Sequence, residues 1–145
     1  MQFLETPDPA EIKKLIKQNE FFWLDLHDPS AAELDEAGEL FGLHELAIED
    51  SREFGQRPKL ERYESHALIV FYGVQGDELV EVHLHVSGDW VVTVHRKGCA
   101  ALKTAYRRMS VAETRTVMGR SSGHTSRTAS KTSRGKRRRF SRDPP

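Results

Sequence analysis

The sequence predicts an α/β fold in which helices cover both faces of a β-sheet, followed by a disordered basic tail. Over residues 1–109, segments with a helical spacing of apolar residues alternate with short apolar segments of strand length. The strand candidates carry apolar side chains at consecutive positions, as in residues 68–71 and 90–92, which predicts a sheet that is buried on both faces. From Ser110 onward this pattern is lost.

Two helices near the N-terminus are predicted from their capping residues. Asp8 can cap a helix that has Pro9 in its first turn, and apolar residues follow on one face at Ile12, Leu15 and Ile16. Ser30 and Glu33 have the spacing of a capping box at the start of a second helix. Its apolar stripe, and the glycine that is placed to end it, are Leu34, Ala37, Gly38, Phe41 and Gly42.

Five segments are predicted as strands. Residues 21–26 form a short aromatic and apolar run, which we interpret as a buried strand. A short helix over residues 45–50 and a polar connection follow. After Pro58 the apolar period changes to two, and the strand candidates there are residues 59–63, 67–74, 79–86 and 90–95. Tight turns are compatible with residues 75–77 and 87–89, and residues 99–109 resemble the start of a further helix.

The net charge of zero conceals two parts of opposite sign. Residues 1–98 contain 20 acidic and 9 basic residues, a net charge of −11, whereas residues 99–145 contain 2 acidic and 13 basic residues, a net charge of +11. Cys99 is the single cysteine and fits a reducing compartment. The longest apolar run, residues 67–74, is far shorter than the roughly 20 residues that cross a bilayer as a helix, and no signal peptide is evident.

Residues 110–145 are predicted to be disordered. They contain eight Arg, seven Ser and five Thr, and their only large apolar residues are Val111, Val117, Met118 and Phe140. Such a segment cannot bury enough apolar surface to offset the entropy that is lost when it orders. Its basic run, residues 135–139, could bind nucleic acid or an anionic membrane surface.

Residues 41–50 read Phe-Gly-Leu-His-Glu-Leu-Ala-Ile-Glu-Asp, and Gln56-Arg57-Pro58-Lys59, Tyr63 and the apolar segment 67–74 follow in that order. This series resembles the amino-terminal cytoplasmic domain of the CorA magnesium/cobalt transporters, in which a Gly-Leu-His-Pro-Leu-Ala-x-Glu-Asp helix precedes an Arg-Pro-Lys strand entry. Glu45 stands where the family usually has proline. The resemblance covers roughly residues 1–109, with a stalk helix starting near residue 99, and leaves residues 110–145 as the tail.

The resemblance implies a mixed-direction sheet with helices on both faces, located on the cytoplasmic side of the membrane in a homo-pentamer. It implies structural roles for the motif residues Gly42, Leu43, His44, Leu46, Glu49, Asp50, Arg57, Pro58 and Lys59. The family's membrane helices and Gly-Met-Asn motif do not occur in the sequence, so we expect no transport by this polypeptide alone. Because the family continues a stalk helix where this pattern is lost, a frameshift after Ser110 is a further hypothesis.

Magnesium is the metal that the resemblance implies, bound by carboxylates between neighbouring subunits. Asp77 and Glu78 lie in a predicted loop near the place where the family carries a sensing aspartate, and their oxygen atoms suit this hard cation. A partner carboxylate would come from the stalk. The alternative is an ordinary acidic turn.

A zinc site at His83, His85 and His95 is disfavoured. With a two-residue turn between the last two strands, His85 pairs with Val92, so His83 and His85 share one face and His95 lies on the other. No catalytic triad spacing, phosphate loop or Cys-x-x-Cys motif occurs, and we therefore predict neither an enzyme nor an organic cofactor or small-molecule substrate.

The sequence thus favours a regulatory, ion-sensing domain of a divalent-cation transporter. The alternative is a nucleic-acid-binding module that uses its basic tail. We rank this alternative lower because the acidic body of the chain offers no basic groove.

Overall fold

A computed structural model describes residues 1–121 of the chain, and of residues 113–121 it describes the backbone alone. The strands within this range are β1 (Gln2–Leu4), β2 (Phe22–His27), β3 (Lys59–Arg62), β4 (Ala67–Gln75), β5 (Glu78–Val86) and β6 (Trp90–His95). The helices are α1 (Pro9–Gln18), α2 (Ala31–Phe41), α3 (Glu45–Arg52) and α4 (Ala100–Ser121).

The six strands form one sheet in the order β1-β2-β6-β5-β4-β3. β1, β2 and β6 run parallel, whereas β5, β4 and β3 continue the sheet in antiparallel pairs. This arrangement confirms the predicted mixed-direction sheet. The predicted register of the last hairpin is also correct, because His85 lies opposite Val92.

Helices α1, α2 and α3 cover one face of the sheet. The core on this side is formed by β2 and β6 together with the buried stripes of α1 and α2, and comprises Ile12, Leu15, Phe22, Leu24, Leu26, Leu34, Ala37, Phe41, Trp90, Val92 and Val94. Beneath α3, Ala47 packs on Leu68 and Val70 of β4. The predicted apolar stripes therefore point into this core, although Ile16 is 39% exposed.

Helix α4 packs on the opposite face. Its buried contribution comes from the first two turns, where Leu102 and the preceding Cys99 lie against Trp23, Val80, Val82 and Val91. Tyr106 extends this contact to β1, with its ring 4.4 Å from that of Phe3. Helices on both faces of the sheet, as predicted, are thus present in the structure.

The predicted caps form as the sequence indicates. Asp8 accepts hydrogen bonds from the amides of Ala10 and Glu11. Ser30 and Glu33 complete a reciprocal capping box. Gly42 ends α2 with a φ of +60°, a left-handed conformation that suits glycine. These local interactions fix where the helices that cover the sheet begin and end.

Two features of the structure go beyond the sequence analysis. Residues 99–109 were expected to begin a helix, and in the structure α4 continues from there to Ser121. The first turn of a helix is the unfavourable step of helix formation, and here it is stabilised by docking on the sheet. The residues that follow include good helix formers such as Ala112 and Arg115 and no proline, so the helix can propagate. The rest of the predicted tail, residues 122–145, lies outside the described residues. β1 was not predicted at all.

Within residues 1–121, none of the helices combines the length and the apolar character that a membrane crossing would require.

Close packing between β4 and the start of α4 yields the first prediction. A Cβ atom added to Gly73 would lie 2.6 Å from the buried Cys99 sulfur. We expect Gly73→Ala to lower the free energy of unfolding by about 1–3 kcal/mol, as overpacked cores do. Urea denaturation should show part of this loss restored by adding Cys99→Ala.

The matched control is Gly88→Ala, because an added Cβ at Gly88 meets no atom within 4 Å. Equal stability of the Gly73→Ala and Gly88→Ala variants would contradict the packing of α4 against β4.

Candidate cation-binding hairpin and its surroundings

Asp77 and Glu78 lie at the tip of the β4–β5 hairpin. Gln75 pairs with Glu78, so the connection is a two-residue turn of Gly76 and Asp77. Gly76 has a φ of +61°, as the first turn position requires in a tight hairpin of type II′. Both carboxylate side chains are exposed, which leaves them accessible to an ion in solvent.

Glu78 already has a cationic partner. The Lys97 ammonium donates a hydrogen bond of 2.8 Å to a Glu78 carboxylate oxygen. This hydrogen bond, and then the charge of Lys97, lower the pKa of Glu78. The carboxylate is ionised at neutral pH, and a cation at the hairpin would compete with Lys97 for it.

The same hairpin is bound to the beginning of α4. The side-chain oxygen of Gln75, the last residue of β4, accepts a hydrogen bond of 2.7 Å from the Ala100 amide, the first residue of the helix. Lys97, which binds Glu78, lies three residues before Ala100. The two residues that flank the turn therefore both contact the segment that leads into α4.

The hairpin offers carboxylate oxygen atoms, the ligand type that magnesium prefers. Over residues 1–121, no group of three or more His, Cys, Asp or Glu side chains is arranged to hold a metal ion. The donor chemistry fits magnesium, and further ligands would have to come from water or from groups outside the described residues.

The histidines considered for zinc lie as the sequence analysis placed them. His83 and His85 are buried on the face that α3 covers, whereas His95 points to the other face. His95 binds Asp25 with Nε2 at 3.0 Å and the Lys97 carbonyl with Nδ1 at 2.6 Å. Burial alone would lower the pKa of His95, but these hydrogen bonds outweigh it and raise the pKa.

The buried Asp25 network was missed by the sequence analysis. Asp25 Oδ1 accepts hydrogen bonds from Thr93 and His95, and the Trp23 indole donates to the Thr93 hydroxyl at 2.9 Å. These residues line or adjoin a cavity of about 280 Å³ at the carboxyl ends of the parallel strands, which Cys99 also lines. Since both nitrogens of His95 are engaged, its ring does not act as a base for the Cys99 thiol.

Among the motif residues, Asp50 and Lys59 form a direct pair. The Lys59 ammonium lies 2.7 Å from Asp50 Oδ2, and this hydrogen bond raises the pKa of Lys59. The Gln56 side-chain amide donates to Asp50 Oδ1 and to the Asp50 carbonyl. These contacts tie the end of α3 to the first residue of β3.

The other motif residues divide into contacting and exposed groups. His44 caps α3 by accepting from the Leu46 amide and stacks on Tyr63 at 4.6 Å. Leu43 packs against the core, and Gly42 ends α2. His44 is itself exposed, and the exposed motif side chains besides it are Leu46, Glu49, Arg57 and Pro58.

Glu81 organises the loop after α3, although no sequence pattern singled it out. Its carboxylate accepts from the amides of Gly55 at 2.6 Å and Gln56 at 3.1 Å, and from His83 at 2.7 Å. Burial raises the pKa of Glu81, but these hydrogen bonds more than offset burial and lower it. The sequence does place Glu81 two residues before His83 and four before His85, so that the three side chains share one face of the strand, and this spacing could have indicated the contact.

The surface groove between α2 and α3 is acidic. It has a volume of about 750 Å³, and its charged lining residues are Asp35, Glu39, Glu45, Glu49 and Arg52. Such a groove repels phosphate groups, so the described body gives no support to nucleic-acid binding.

The fold and the hairpin together define an α/β domain in which an acidic turn lies beside the first residue of α4. The chain belongs to the CorA family, because the model of the CorA-like Mg2+ transporter protein family matches residues 18–124. This match extends past Met109, as α4 does. No curated protein matches the chain significantly in sequence.

Three solved structures share the fold. The full-length CmaX protein is 20% identical over 57% of this chain and 27% of its own, with a TM-score of 0.50. The complete CorA magnesium transporter from Methanocaldococcus jannaschii is 18% identical over 63% of this chain and 30% of its own, with a TM-score of 0.51. The soluble domain of CorA from the same organism is 17% identical over 61% of this chain and 37% of its own, with a TM-score of 0.50. The match thus spans about a quarter to somewhat over a third of these proteins.

Adjacent carboxylates of the motif helix yield the second prediction. Asp50 binds Lys59 and Gln56, whereas the neighbouring Glu49 is exposed. We expect Asp50→Asn to lower the free energy of unfolding by about 1 kcal/mol, because a partly buried charge pair is lost. The control Glu49→Gln should change it by less than about 0.5 kcal/mol in the same denaturation experiment. Equal effects would contradict the assigned pairing.

Proposed function

We propose that this chain is the ion-sensing, regulatory domain of a CorA-type divalent-cation transporter. In this proposal it works on the cytoplasmic face of the membrane, as part of a homo-oligomer such as a pentamer, and regulates magnesium or cobalt transport. Asp77 and Glu78 supply carboxylate ligands for a regulatory magnesium ion. Transport itself requires membrane helices that residues 1–121 do not contain.

The observation that carries the proposal is the double attachment of the hairpin to the first residue of α4 and to the segment just before it. Gln75 holds the Ala100 amide and Glu78 holds Lys97, and Asp77 lies between these two anchors in sequence. An ion that binds Asp77 and Glu78 must compete with Lys97 and thereby changes the contacts just before the helix. The helix continues to Ser121, beyond the first turns that contact the sheet.

The proposed switch depends on different ion affinities in two arrangements. A hairpin with two carboxylates fills only part of the ligand shell of magnesium, so a neighbouring subunit and water would complete it. Ion binding would then favour the arrangement in which the subunits share the ion, and ion loss would release them. Neither catalysis nor an organic cofactor is involved in this proposal.

Magnesium titration of the full chain tests the proposed ligands. By isothermal titration calorimetry we expect weak binding to the wild type, and at least tenfold weaker binding to Asp77→Asn combined with Glu78→Gln. The ionised carboxylates provide the charge that attracts the ion, and the amides do not. Asp89→Asn, which changes an exposed acidic residue in the neighbouring β5–β6 turn, is the matched control and should bind as the wild type does.

A wild type that binds magnesium no better than the double variant would refute the site. Equal losses in the Asp77/Glu78 and Asp89 variants would show that general surface charge, rather than this hairpin, attracts the ion.

Lys97 provides an independent test with the opposite sign. Because its ammonium occupies Glu78, we expect Lys97→Gln to tighten magnesium binding a few-fold. The effect should disappear when Glu78→Gln is also present. An unchanged affinity in Lys97→Gln would mean that the ion does not use Glu78.

A further inference from the structure

Three histidines are buried beneath α3 and the loop that follows it. His83 and His85 on β5 are fully buried, and His66, directly before β4, is 6% exposed. The rings of His66 and His85 are 5.7 Å apart. Each of the three has one ring nitrogen that is buried and without a hydrogen-bond partner among the described residues: His66 Nε2, His83 Nδ1 and His85 Nδ1.

The hydrogen bonds of His85 define its neutral form. The Ser51 hydroxyl donates its single proton to the Ala47 carbonyl at 3.0 Å, so it accepts from His85 Nε2 at 2.8 Å. His85 Nδ1 consequently carries a lone pair rather than a proton. Protonation would create a buried N–H with no acceptor and a charge in an apolar site, which is costly.

His66 is held mainly by ring contacts. It stacks on Tyr63 at 5.0 Å, and its Nδ1 is 3.3 Å from the Ser65 hydroxyl. His83 differs, because its Nε2 donates to Glu81 while the Phe54 ring stacks on it at 4.7 Å. A charge on His66 or His85 therefore lacks the carboxylate partner that His83 possesses.

The surrounding charges are largely engaged with one another. The groups that face the cluster from the helices, strands and loops around it are His44, Asp50, Lys59, Glu61, Glu81 and Arg96. Asp50 is paired with Lys59, and Arg96 lies over the Phe54 ring. The adjoining positions of β4 and β6, Leu68 and Val92, are apolar.

Burial is accordingly the largest influence on these rings. It lowers the pKa of His66, with a smaller effect from His44, and lowers the pKa of His85 to about 3, with smaller effects from His66 and His83. Asp50 acts in the opposite direction on His85 but does not prevail.

We propose that His66 and His85 form a proton-operated latch that releases α3 and its following loop from the sheet under acidic conditions. Lifting α3 breaks the bond between Ser51 and His85 and brings the rings to water, where they bind protons. This inference is independent of cation sensing, since it involves neither Asp77 nor Glu78.

The direction of the pH effect follows from linkage. His66 and His85 have a lower pKa in the closed form than in the open form, where it is about 6.5. The closed form is therefore fully favoured above about pH 6.5 and loses stability as the pH falls below it. With two such groups, the open fraction rises by up to about 100-fold per pH unit.

Amide hydrogen exchange of the full chain between pH 7 and pH 5 tests the latch, after correction for intrinsic chemical exchange. We expect the opening constant of residues 45–56 to rise by at least tenfold per pH unit below pH 6, and that of α1 to change much less. His85→Gln, which keeps an N–H donor for Ser51, and His66→Phe, which keeps a ring against Tyr63, should each reduce the slope by about one proton.

His27→Gln is the matched control, because His27 is exposed and stacks on His95 away from the cluster. It should retain the wild-type slope. The latch is refuted if opening of residues 45–56 is independent of pH, if α1 opens with the same slope, or if neither cluster variant changes the slope. Two separate variants keep the test decisive should one of them fail to fold.

Discussion

The hydrogen bond between the Ala100 amide and the Gln75 side chain joins the β4–β5 hairpin to the start of α4, whose docking on the sheet positions the hairpin against the rest of the domain. It fixes the start of α4 at the end of β4, where the Cys99 sulfur already fills the space above Gly73. From that anchor the helix crosses its face of the sheet and reaches Phe3 through Tyr106. The Lys97–Glu78 ion pair is the second contact between the acidic turn and the segment that precedes α4.

Much of the fold was accessible from the sequence because local signals agreed with the tertiary structure. Ser30 and Glu33 formed the predicted capping box, and the register of His85 followed from turn length alone. The short edge strand β1 was missed, since three residues give no periodicity. The extent of α4 was underestimated because loss of amphipathic pattern does not end a helix that its docked turns have nucleated.

The candidate site was less accessible, since contacts between distant residues define it. The sequence placed Asp77 and Glu78 in a turn, but the competition from Lys97 depends on strand pairing that brings residues 19 positions apart together. Equally, nothing in residues 41–50 shows that Asp50, rather than Glu49, binds Lys59. Such roles are decided by which side chain faces a partner after folding, and composition does not encode that directly.

We propose that cation binding at the hairpin alters the backbone at the start of α4. The most direct measurement is the amide chemical shift of Ala100 during a magnesium titration of the full chain, with Asp89 as the reference amide. If the hairpin and α4 are coupled, the Ala100 shift changes in proportion to the occupancy of the hairpin and that of Asp89 remains unchanged. An Ala100 amide shift that stays constant while that of Asp77 shows saturation would contradict this coupling.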